Sequence, residues 1–315
     1  MAVVTVEEAL QLWDEALQTQ VHKVETIDVK AAKGYVLAED IIAPTDVPAF
    51  PKSAMDGYAI TYKADCNEYI VDGIIGAGVV WEHSVETGHA VRIMTGAPVP
   101  DTCDTVIMQE QVVGSGELGT TITIQGKYTC GDHIIPQGEE CSAGTTVIPR
   151  GTEVTSTVQT ILTGLGFTEI TVNAMPRVLV LTSGHEVIEP GESLTPGKIY
   201  NSNRAMICGL LEDLGFHKIT HYHVSDAPEE LESEINHVLQ LSEDADIIIS
   251  SGGVSVGLFD TMPLIYEKLG AQSIYARIQM RPGAASYGAV TPKGQIIFGL
   301  SGNPGAAFNG WHLIV

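Results

Sequence analysis

Three short apolar runs in the C-terminal half of the chain lead directly into turns of small residues. The runs are residues 178–181, 247–249 and 296–298, and each is followed by a turn that contains serine and glycine. Because apolar and polar residues do not alternate in these runs, they are typical of strands buried on both faces of a parallel sheet. Ligands of such sheets bind outside the carboxyl ends of the strands. The turns therefore predict one crevice with exposed backbone N–H groups, suited to an anionic ligand.

Strand and helix patterns alternate from Pro176 to the end of the chain. The predicted order is strand 178–181, helix 203–214, strand 219–224, helix 227–241, strand 247–250, helix 261–269, two strands, a glycine loop and a helix from Pro304. This alternation predicts a doubly wound α/β domain with right-handed crossovers.

The first 175 residues carry a different pattern. Thr5 and Glu8 form a capping-box sequence that predicts a helix, and if this helix packs on the α/β domain, that domain is discontinuous in sequence. From about Ile27 to Pro149, short alternating segments separated by Gly, Pro and Asp predict strands, for example at residues 106–109 and 120–125. Thr155 then predicts the start of a second helix.

The net charge excludes some classes of binding partner, and the cysteines indicate the cellular compartment. The chain has 16 Lys and Arg against 39 Asp and Glu, a formal net charge of −23, so its surface repels nucleic acid and anionic membranes. An anionic ligand would need local help from glycine loops, a few cations or a divalent metal. The five cysteines form no Cys-x-x-Cys pair, which indicates reduced thiols, and neither a signal peptide nor a run of membrane-spanning length is visible. We therefore expect a soluble cytoplasmic protein.

The turns after the second and third runs carry the densest candidate chemistry. The second turn is built from small residues, namely Ser250, Ser251, Gly252, Gly253, Ser255 and Gly257. So many small residues cost conformational entropy on folding, and this cost is expected only where the backbone must approach a ligand closely. In the third turn, Asn303 suits the N-cap and Pro304 the first position of a helix. This third turn is either a seat for a phosphate or carboxylate or an ordinary strand-to-helix turn.

Three carboxylates stand close to the predicted turns, and two of them allow a structural alternative. Asp260 either binds a metal or caps the helix that follows. Asp226 either has a functional role or caps the next helix, because a glutamate lies three residues on. Glu186 follows the turn Ser183-Gly184-His185 at a strand end, where a carboxylate has no structural duty, so a functional role is favoured.

Arginine and histidine side chains give two further candidates. Arg277 and Arg281 precede a Pro-Gly turn and either balance the charge of a ligand or lie on an exposed strand face. His217, His221 and His223 share one face of a predicted strand, where they are either metal ligands or solvated side chains.

Five motifs run in a fixed order through essentially the whole chain. They are Ser53-Ala54-Met55-Asp56-Gly57-Tyr58-Ala59, Arg92-Ile93-Met94-Thr95-Gly96-Ala97-Pro98-Val99-Pro100, Ile199-Tyr200-Asn201-Ser202-Asn203-Arg204, Ser251-Gly252-Gly253-Val254-Ser255-Val256-Gly257 and Gly299-Leu300-Ser301-Gly302-Asn303-Pro304. In this order they resemble the molybdopterin molybdenumtransferase family, which includes the E domain of gephyrin.

The resemblance implies a domain arrangement. An α/β molybdopterin-binding domain would comprise residues 1–20 and 176–315, a linker domain residues 21–50 and 141–175, and an inserted β-rich domain residues 51–140. The family's C-terminal β-barrel is absent from this chain. The resemblance also implies a homodimer with an intersubunit active site, to which Asp56 of one chain contributes.

The resemblance implies an activity as well. Family members insert molybdate into adenylylated molybdopterin and release AMP, with a divalent cation such as Mg²⁺, and a molybdopterin adenylyltransferase is a candidate partner. By motif, the catalytic and charged positions fall on Asp56, Glu140, Glu186, Asp226, Asp260, Arg277 and Arg281. Glu186, Asp226 and Asp260 would hold the metal. The loop residues that would seat the pterin and its phosphate are Ser183, Gly184, Ser251, Gly252, Gly253, Ser255, Gly257, Pro282, Gly283, Ser301, Gly302, Asn303 and Pro304.

Some residues depart from the usual pattern of the family. His185 and Glu140 each stand where Asp is usual, both arginines replace Lys, and Ala284-Ala285 replaces Lys-Pro. Losing the third cation should weaken anion binding. The intact Asp56 and Asp260 motifs favour an active transferase. The replacements at His185 and Ala284-Ala285 favour a diverged, non-catalytic paralogue that binds a pterin or nucleotide as scaffold or regulator, and a nucleotide-diphosphate hydrolase is a third alternative.

Overall fold

The computed structural model describes residues 3–18, 23–253 and 261–315. The chain divides into two compact units, one made of Met1–Glu25 with Asn173–Val315 and the other of Thr26–Val172. In chain order, the elements up to residue 173 are β1 Val3–Val4, α1 Val6–Leu17, β2 Val24–Asp28, β3 Ile41–Ile42, β4 Lys52–Ser53, β5 Gly57–Ile60, β6 Glu68–Ile75, β7 His89–Ile93, β8 Thr105–Met108, β9 Val112–Val113, β10 Thr121–Ile124, β11 Ile134–Ile135, β12 Thr146–Ile148, α2 Ser156–Gly164 and β13 Glu169–Asn173. Two short 3₁₀ helices span Val29–Ala31 and Gln109–Gln111. The remaining elements are β14 Val178–Ser183, β15 Val187–Ile188, β16 Ile199–Tyr200, α3 Ser202–Asp213, β17 Ile219–Val224, α4 Leu231–Ser242, β18 Ile247–Ser251, α5 Met262–Lys268, β19 Gln272–Tyr275, β20 Arg277–Ile278, β21 Tyr287–Val290, β22 Ile296–Leu300 and α6 Pro304–Ile314.

The α/β unit is built on a six-stranded sheet with the order β17-β14-β18-β22-β21-β19. The first four strands are parallel, and β21 and β19 complete one edge in antiparallel pairing. The three apolar runs are the adjacent central strands β14, β18 and β22, so their carboxyl ends lie side by side. The predicted doubly wound α/β fold is confirmed, with an antiparallel edge added.

Helices cover both faces of this sheet. Alternate side chains of β14 face opposite ways, since Leu179 and Leu181 join the core that contains α4 and α5, whereas Val178 and Val180 join the core that contains α3 and α6. Each fully buried aliphatic side chain in these cores contributes roughly 1.5–3 kcal/mol. Burial on both faces explains why these runs do not alternate with polar residues.

The N-terminal helix belongs to this unit. Thr5 and Glu8 form the predicted capping box, with Thr5 N–H donating to Glu8 Oε2 at 2.7 Å. The apolar face of α1 packs into a core shared with β19, β20 and α6. In this core, the centroids of the Trp13 and Phe298 rings are 4.6 Å apart. β1 pairs in parallel with β20.

The start of α4 differs from the prediction. Asp226 does not cap this helix: α4 begins at Leu231, and its N-cap residue Glu230 makes no side-chain capping hydrogen bond. The entry is organised instead by Glu234, whose carboxylate accepts hydrogen bonds from the Tyr222 hydroxyl and from the Ser225 N–H at 3.0 and 3.1 Å. Asp226 therefore lies in the loop after β17, free of a capping duty.

The second unit contains a six-stranded, mostly antiparallel sheet with the order β8-β5-β7-β6-β10-β9. Its two faces bury separate cores, one around Ile75 and Val106 and the other around Tyr69 and Ile107. A third core, which includes Leu37 and Leu162, forms where α2 packs. The Thr155 hydroxyl caps α2 as predicted. Within the described residues, no helix is long and apolar enough to cross a membrane.

Candidate functional site

A cavity of about 310 Å³ lies at the carboxyl ends of β14, β18 and β22. Three loops, after these three strands, form much of its wall together with the start of α3. The lining residues are Thr182, Ser183, Gly184, His185, Glu186, Val187, Ile199, Tyr200, Asn201, Ser202, Asn203, Asp226, Ser251, Gly252, Gly253, Ala285, Ser301, Gly302 and Pro304. Most of the loop positions singled out in the sequence therefore meet in one place.

The glycines of the second loop are required by close backbone approach. Gly252 has φ +89°, and a Cβ on it would lie 2.6 Å from the carbonyl oxygen of Ser183. Gly253 has φ +60°, and its Cβ would lie 2.7 Å from the Ser183 hydroxyl oxygen. A Cβ on Gly302 would lie 3.3 Å from the Gly252 Cα. Side chains at these positions would push the three loops apart, which explains the small residues.

Two asparagines at the start of α3 form hydrogen bonds that join different parts of the cavity wall. The amide Nδ2 of Asn201 donates to Thr182 Oγ1 at 3.0 Å and to Glu189 Oε1 at 2.9 Å. The Nδ2 of Asn203 donates to Ser251 Oγ at 2.7 Å and to the Gly302 carbonyl at 2.8 Å. Burial raises the pKa of Glu189, but hydrogen bonds from Asn201 and Arg204 outweigh it, so the net pKa is lowered and the carboxylate stays charged.

One side of the cavity carries acidic side chains with a histidine between them. His185 Nδ1 lies 3.6 Å from Asp226 Oδ2 and 3.9 Å from Glu186 Oε2. The other oxygen of Asp226, Oδ1, is buried and has no hydrogen-bond partner among the described residues. A buried carboxylate oxygen without a partner is expensive, so a cation or a donor on a ligand would relieve it.

A metal site is not formed by the described residues alone. No group of three or more His, Cys, Asp or Glu in residues 3–18, 23–253 and 261–315 is arranged to hold a metal ion. Asp260, the third predicted metal ligand, lies outside the described residues, as do Ser255 and Gly257 of the second loop.

Several predicted site residues lie away from the cavity wall. Arg277 is on β20 and Arg281 follows it, both exposed, and neither makes an ion pair with a described residue. Pro282 and Gly283 are also outside the lining, whereas Ala285 of the same segment is part of it. The Asn303 side chain caps α6, with Oδ1 accepting from the Ala306 N–H at 3.2 Å.

Asp56 belongs to the second unit, in the loop between β4 and β5. Its Oδ1 accepts two hydrogen bonds from Thr95, from the N–H at 2.7 Å and from the hydroxyl at 2.9 Å. These bonds, the backbone one first, lower the pKa of Asp56 and keep the carboxylate ionised. Glu140, in the same unit, lies 3.6 Å from the Lys52 ammonium.

The histidine prediction needs correction. His217 precedes β17, so it does not share that strand with His221 and His223. The other two are half-buried and are not part of a metal group among the described residues: His221 Nε2 and His223 Nδ1 lie 3.0 and 3.1 Å from Thr182 Oγ1. Burial, assisted by the nearby Arg204 charge, lowers the pKa of His221 to about 4.

The most important residues missed by sequence reasoning are Thr182, Asn201 and Asn203. In the sequence, residues 199–204 stand out only as part of a motif, and no local pattern assigns a role to the two asparagines. Their contacts join positions 19, 48 and 99 residues apart, so only the folded chain reveals them.

Known proteins match this chain in sequence and in structure. The family described as MoeA N-terminal region (domain I and II) matches residues 4–166, and that described as probable molybdopterin binding domain matches residues 179–315. The molybdopterin molybdenumtransferase of Staphylococcus epidermidis is 38% identical over 300 residues, covering 92% of this chain and 69% of that protein. The protein of the same name from Staphylococcus aureus strain MRSA252 is 38% identical over 298 residues, with the same coverage. A crystal structure of the molybdopterin biosynthesis MoeA protein from Pyrococcus horikoshii superposes with a TM-score of 0.81 at 26% identity, over 99% of this chain and 78% of that chain.

Proposed function

This chain belongs to the molybdopterin molybdenumtransferase family, and on that premise we propose that it inserts molybdate into adenylylated molybdopterin with release of AMP. The observation that carries the proposal is the cavity at the carboxyl ends of β14, β18 and β22, where three loops meet two carboxylates. The relatives named as transferases do not favour the alternative of a non-catalytic paralogue.

The loops supply the seat for the substrate. Gly252, Gly253 and Gly302 bring backbone close to the cavity, and α3 and α6 begin at its wall. The N-terminus of a helix carries unpaired N–H groups and a partial positive charge, which favour phosphate. This local chemistry compensates for a net charge of −23, which would otherwise repel the ligand.

The acidic side chains suit a divalent cation such as Mg²⁺, which prefers oxygen ligands. Glu186 and Asp226 would hold it, together with Asp260, and the unpartnered Oδ1 of Asp226 is the feature that fits. When bound, the ion would neutralise the diphosphate and polarise the phosphorus. The carboxylates would fix such an ion beside the loops, and the His185 ring nitrogen lies between them.

The remaining roles rest on the family alone. Arg277 and Arg281 are proposed to bind molybdate or phosphate, as bidentate donors can, with Pro282 and Gly283 shaping that segment. Asp56 is proposed to act in an intersubunit active site of a cytoplasmic homodimer. A molybdopterin adenylyltransferase is the proposed source of the substrate. The exposure of both arginines and the ionised Asp56 carboxylate are consistent with these roles.

The test mixes the purified protein with adenylylated molybdopterin, molybdate and Mg²⁺. AMP release and reconstitution of a molybdenum-free enzyme are followed together. Both signals are expected. AMP release without reconstitution would indicate a hydrolase that has lost metal insertion, and neither signal with substrate binding retained would contradict the transferase.

A further inference from the structure

The start of α3 binds the ends of β14 and β18 and the loop after β22 at once. Asn201 and Asn203 are 4% and 8% exposed, although both are polar. Asn201 is bonded to Thr182, near the end of β14, and Asn203 to Ser251, the last residue of β18, and to Gly302, in the loop after β22. Ser251 in turn donates its hydroxyl to the Ser301 carbonyl at 3.1 Å. One helix end therefore joins three segments that are far apart in sequence.

The orientation of the Asn203 amide follows from its partners. The carbonyl oxygen of Gly302 can only accept, so the amide atom facing it is the nitrogen. Both N–H groups of Nδ2 are then used, and Oδ1 is left buried with no partner among the described residues. Leaving a buried acceptor unpaired is unfavourable, so stability alone does not account for this side chain.

A second buried amide in the same unit shows the contrast. Gln295 donates from Nε2 to the carbonyls of Ser242 and Ala245 at 2.6 and 2.9 Å, and its Oε1 accepts from the Thr291 hydroxyl at 3.2 Å. This amide is satisfied at both ends, as expected for a purely structural role. Asn203 keeps the same pair of donor bonds but lacks the compensating one.

We propose that Asn203 is a positioning residue that clamps the end of β18, where its loop begins, to the loop after β22 at the separation that substrate binding requires. The clamp lies where Gly252 and Gly302 approach most closely, so small changes in loop separation would alter the backbone N–H groups offered to a ligand. Holding both loops before binding lowers the ordering cost of the complex. Only the identity of the ligand rests on the proposed transferase function.

Hydrogen exchange in the ligand-free protein tests the clamp directly. The Gly252 N–H donates to the Leu300 carbonyl at 3.2 Å, so its exchange rate reports whether the two loops stay together. In Asn203→Ala, exchange of the Gly252 amide is expected to become at least 10-fold faster. Ser251→Ala, which removes one acceptor of the clamp, should give a smaller increase. Gln295→Ala is the matched control and should destabilise the fold without selectively releasing Gly252.

Steady-state kinetics add the functional readout. In Asn203→Ala, the KM for adenylylated molybdopterin is expected to rise about 10-fold or more while kcat changes less than 3-fold. Unchanged Gly252 exchange in folded Asn203→Ala, or in Ser251→Ala if the first variant does not fold, would overturn the clamp. Equal release of Gly252 in Gln295→Ala would overturn it as well. If the wild-type protein released no AMP, the proposed function would fail, whereas the exchange result would still decide the clamp.

Discussion

Two pairs of glycines, one pair in each unit, serve different purposes. In the second unit, Gly78 and Gly88 have φ +78° and +85°, but a Cβ on either would meet nothing within 4 Å. In the α/β unit, Gly252 and Gly253 have positive φ as well, and a Cβ on either would collide with Ser183. The first pair only allows the chain to turn, whereas the second pair allows loops to touch.

A glycine-rich sequence therefore does not by itself mark a ligand site. Both pairs lie in turns, and the difference between them lies in whether another segment fills the space of the missing side chain. Close approach of backbone from separate loops is what creates a surface of N–H groups. Two carboxylates differ in a similar way: Asp56 Oδ1 accepts two hydrogen bonds from Thr95, whereas Asp226 Oδ1 is buried and has no partner in the part of the chain that the structure describes.

Gly252→Ala should have the largest effect, because the new Cβ would lie 2.6 Å from the Ser183 carbonyl oxygen. We expect kcat/KM for AMP release to fall at least 100-fold, and the free energy of unfolding to drop by about 1–3 kcal/mol. The control is Gly78→Ala, which imposes the same backbone strain in open space and should cost only about 1–2 kcal/mol with no change in kcat/KM. Wild-type activity in Gly252→Ala would show that the close approach of the loops at Gly252 is not needed for the reaction.

Asp226→Asn should come next, because it keeps the shape of the side chain but removes its charge. We expect Mg²⁺ affinity, measured by calorimetry, to weaken about 10-fold or more, since the ion would lose a charged ligand. The free energy of unfolding should not fall by the ~1 kcal/mol of a lost helix cap, because Asp226 caps no helix. Asp132→Asn, which alters a carboxylate bonded to Thr129 in the second unit, should lower stability and leave Mg²⁺ binding unchanged. Equal loss of Mg²⁺ binding in both variants would contradict the assignment.

His221→Gln should change how stability depends on pH. The folded-state pKa of about 4 lies below the ordinary 6.5, so the unfolded chain binds more protons between these values. The wild-type free energy of unfolding should therefore fall as pH drops from 6.5 to 4, by about 1–2 kcal/mol after allowance for partial solvent screening. In His221→Gln, the free energy of unfolding measured by urea titration should fall less between pH 6.5 and 4 than it does in the wild-type protein. An identical pH profile would show that His221 is not the group responsible.

Thr5→Ala should have the smallest effect, since it removes only the capping hydroxyl of α1. The expected loss is about 1 kcal/mol in free energy of unfolding, with no change in KM. Thr155→Ala removes the matching cap of α2 in the second unit and should cost a similar amount. A change in KM for Thr5→Ala alone would show that α1 influences the cavity.

Local signals in the sequence predicted much of the α/β fold. The strand predicted at residues 219–224 has these bounds in the structure, and the helix start at Pro304 is also confirmed, with Asn303 as its N-cap. Both depend on neighbouring residues: an apolar run between turns, and a cap followed by proline. The alternative that Asp226 caps a helix was wrong, because α4 begins only at Leu231 and Glu234, the fourth residue of that helix, accepts the hydrogen bonds at its entry.

The candidate site was predictable only in part. The glycine turns marked the edge of the sheet where Ser183, Gly252 and Gly302 meet. The sequence could not show that Asn201 and Asn203 join these loops, because their partners are distant in the chain. Arg277 and Arg281 illustrate the opposite case, since a motif placed them in the site but the cavity wall does not include them.

We propose that the cavity at the ends of β14, β18 and β22 binds the adenylylated pterin. A crystal structure of the wild-type chain with adenylylated molybdopterin, with EDTA present to prevent turnover, would show where the ligand lies. We expect it to contact the loops of Gly252 and Gly302, with its phosphates near Glu186 and Asp226. A ligand bound elsewhere, with both loops free of it, would refute this proposal.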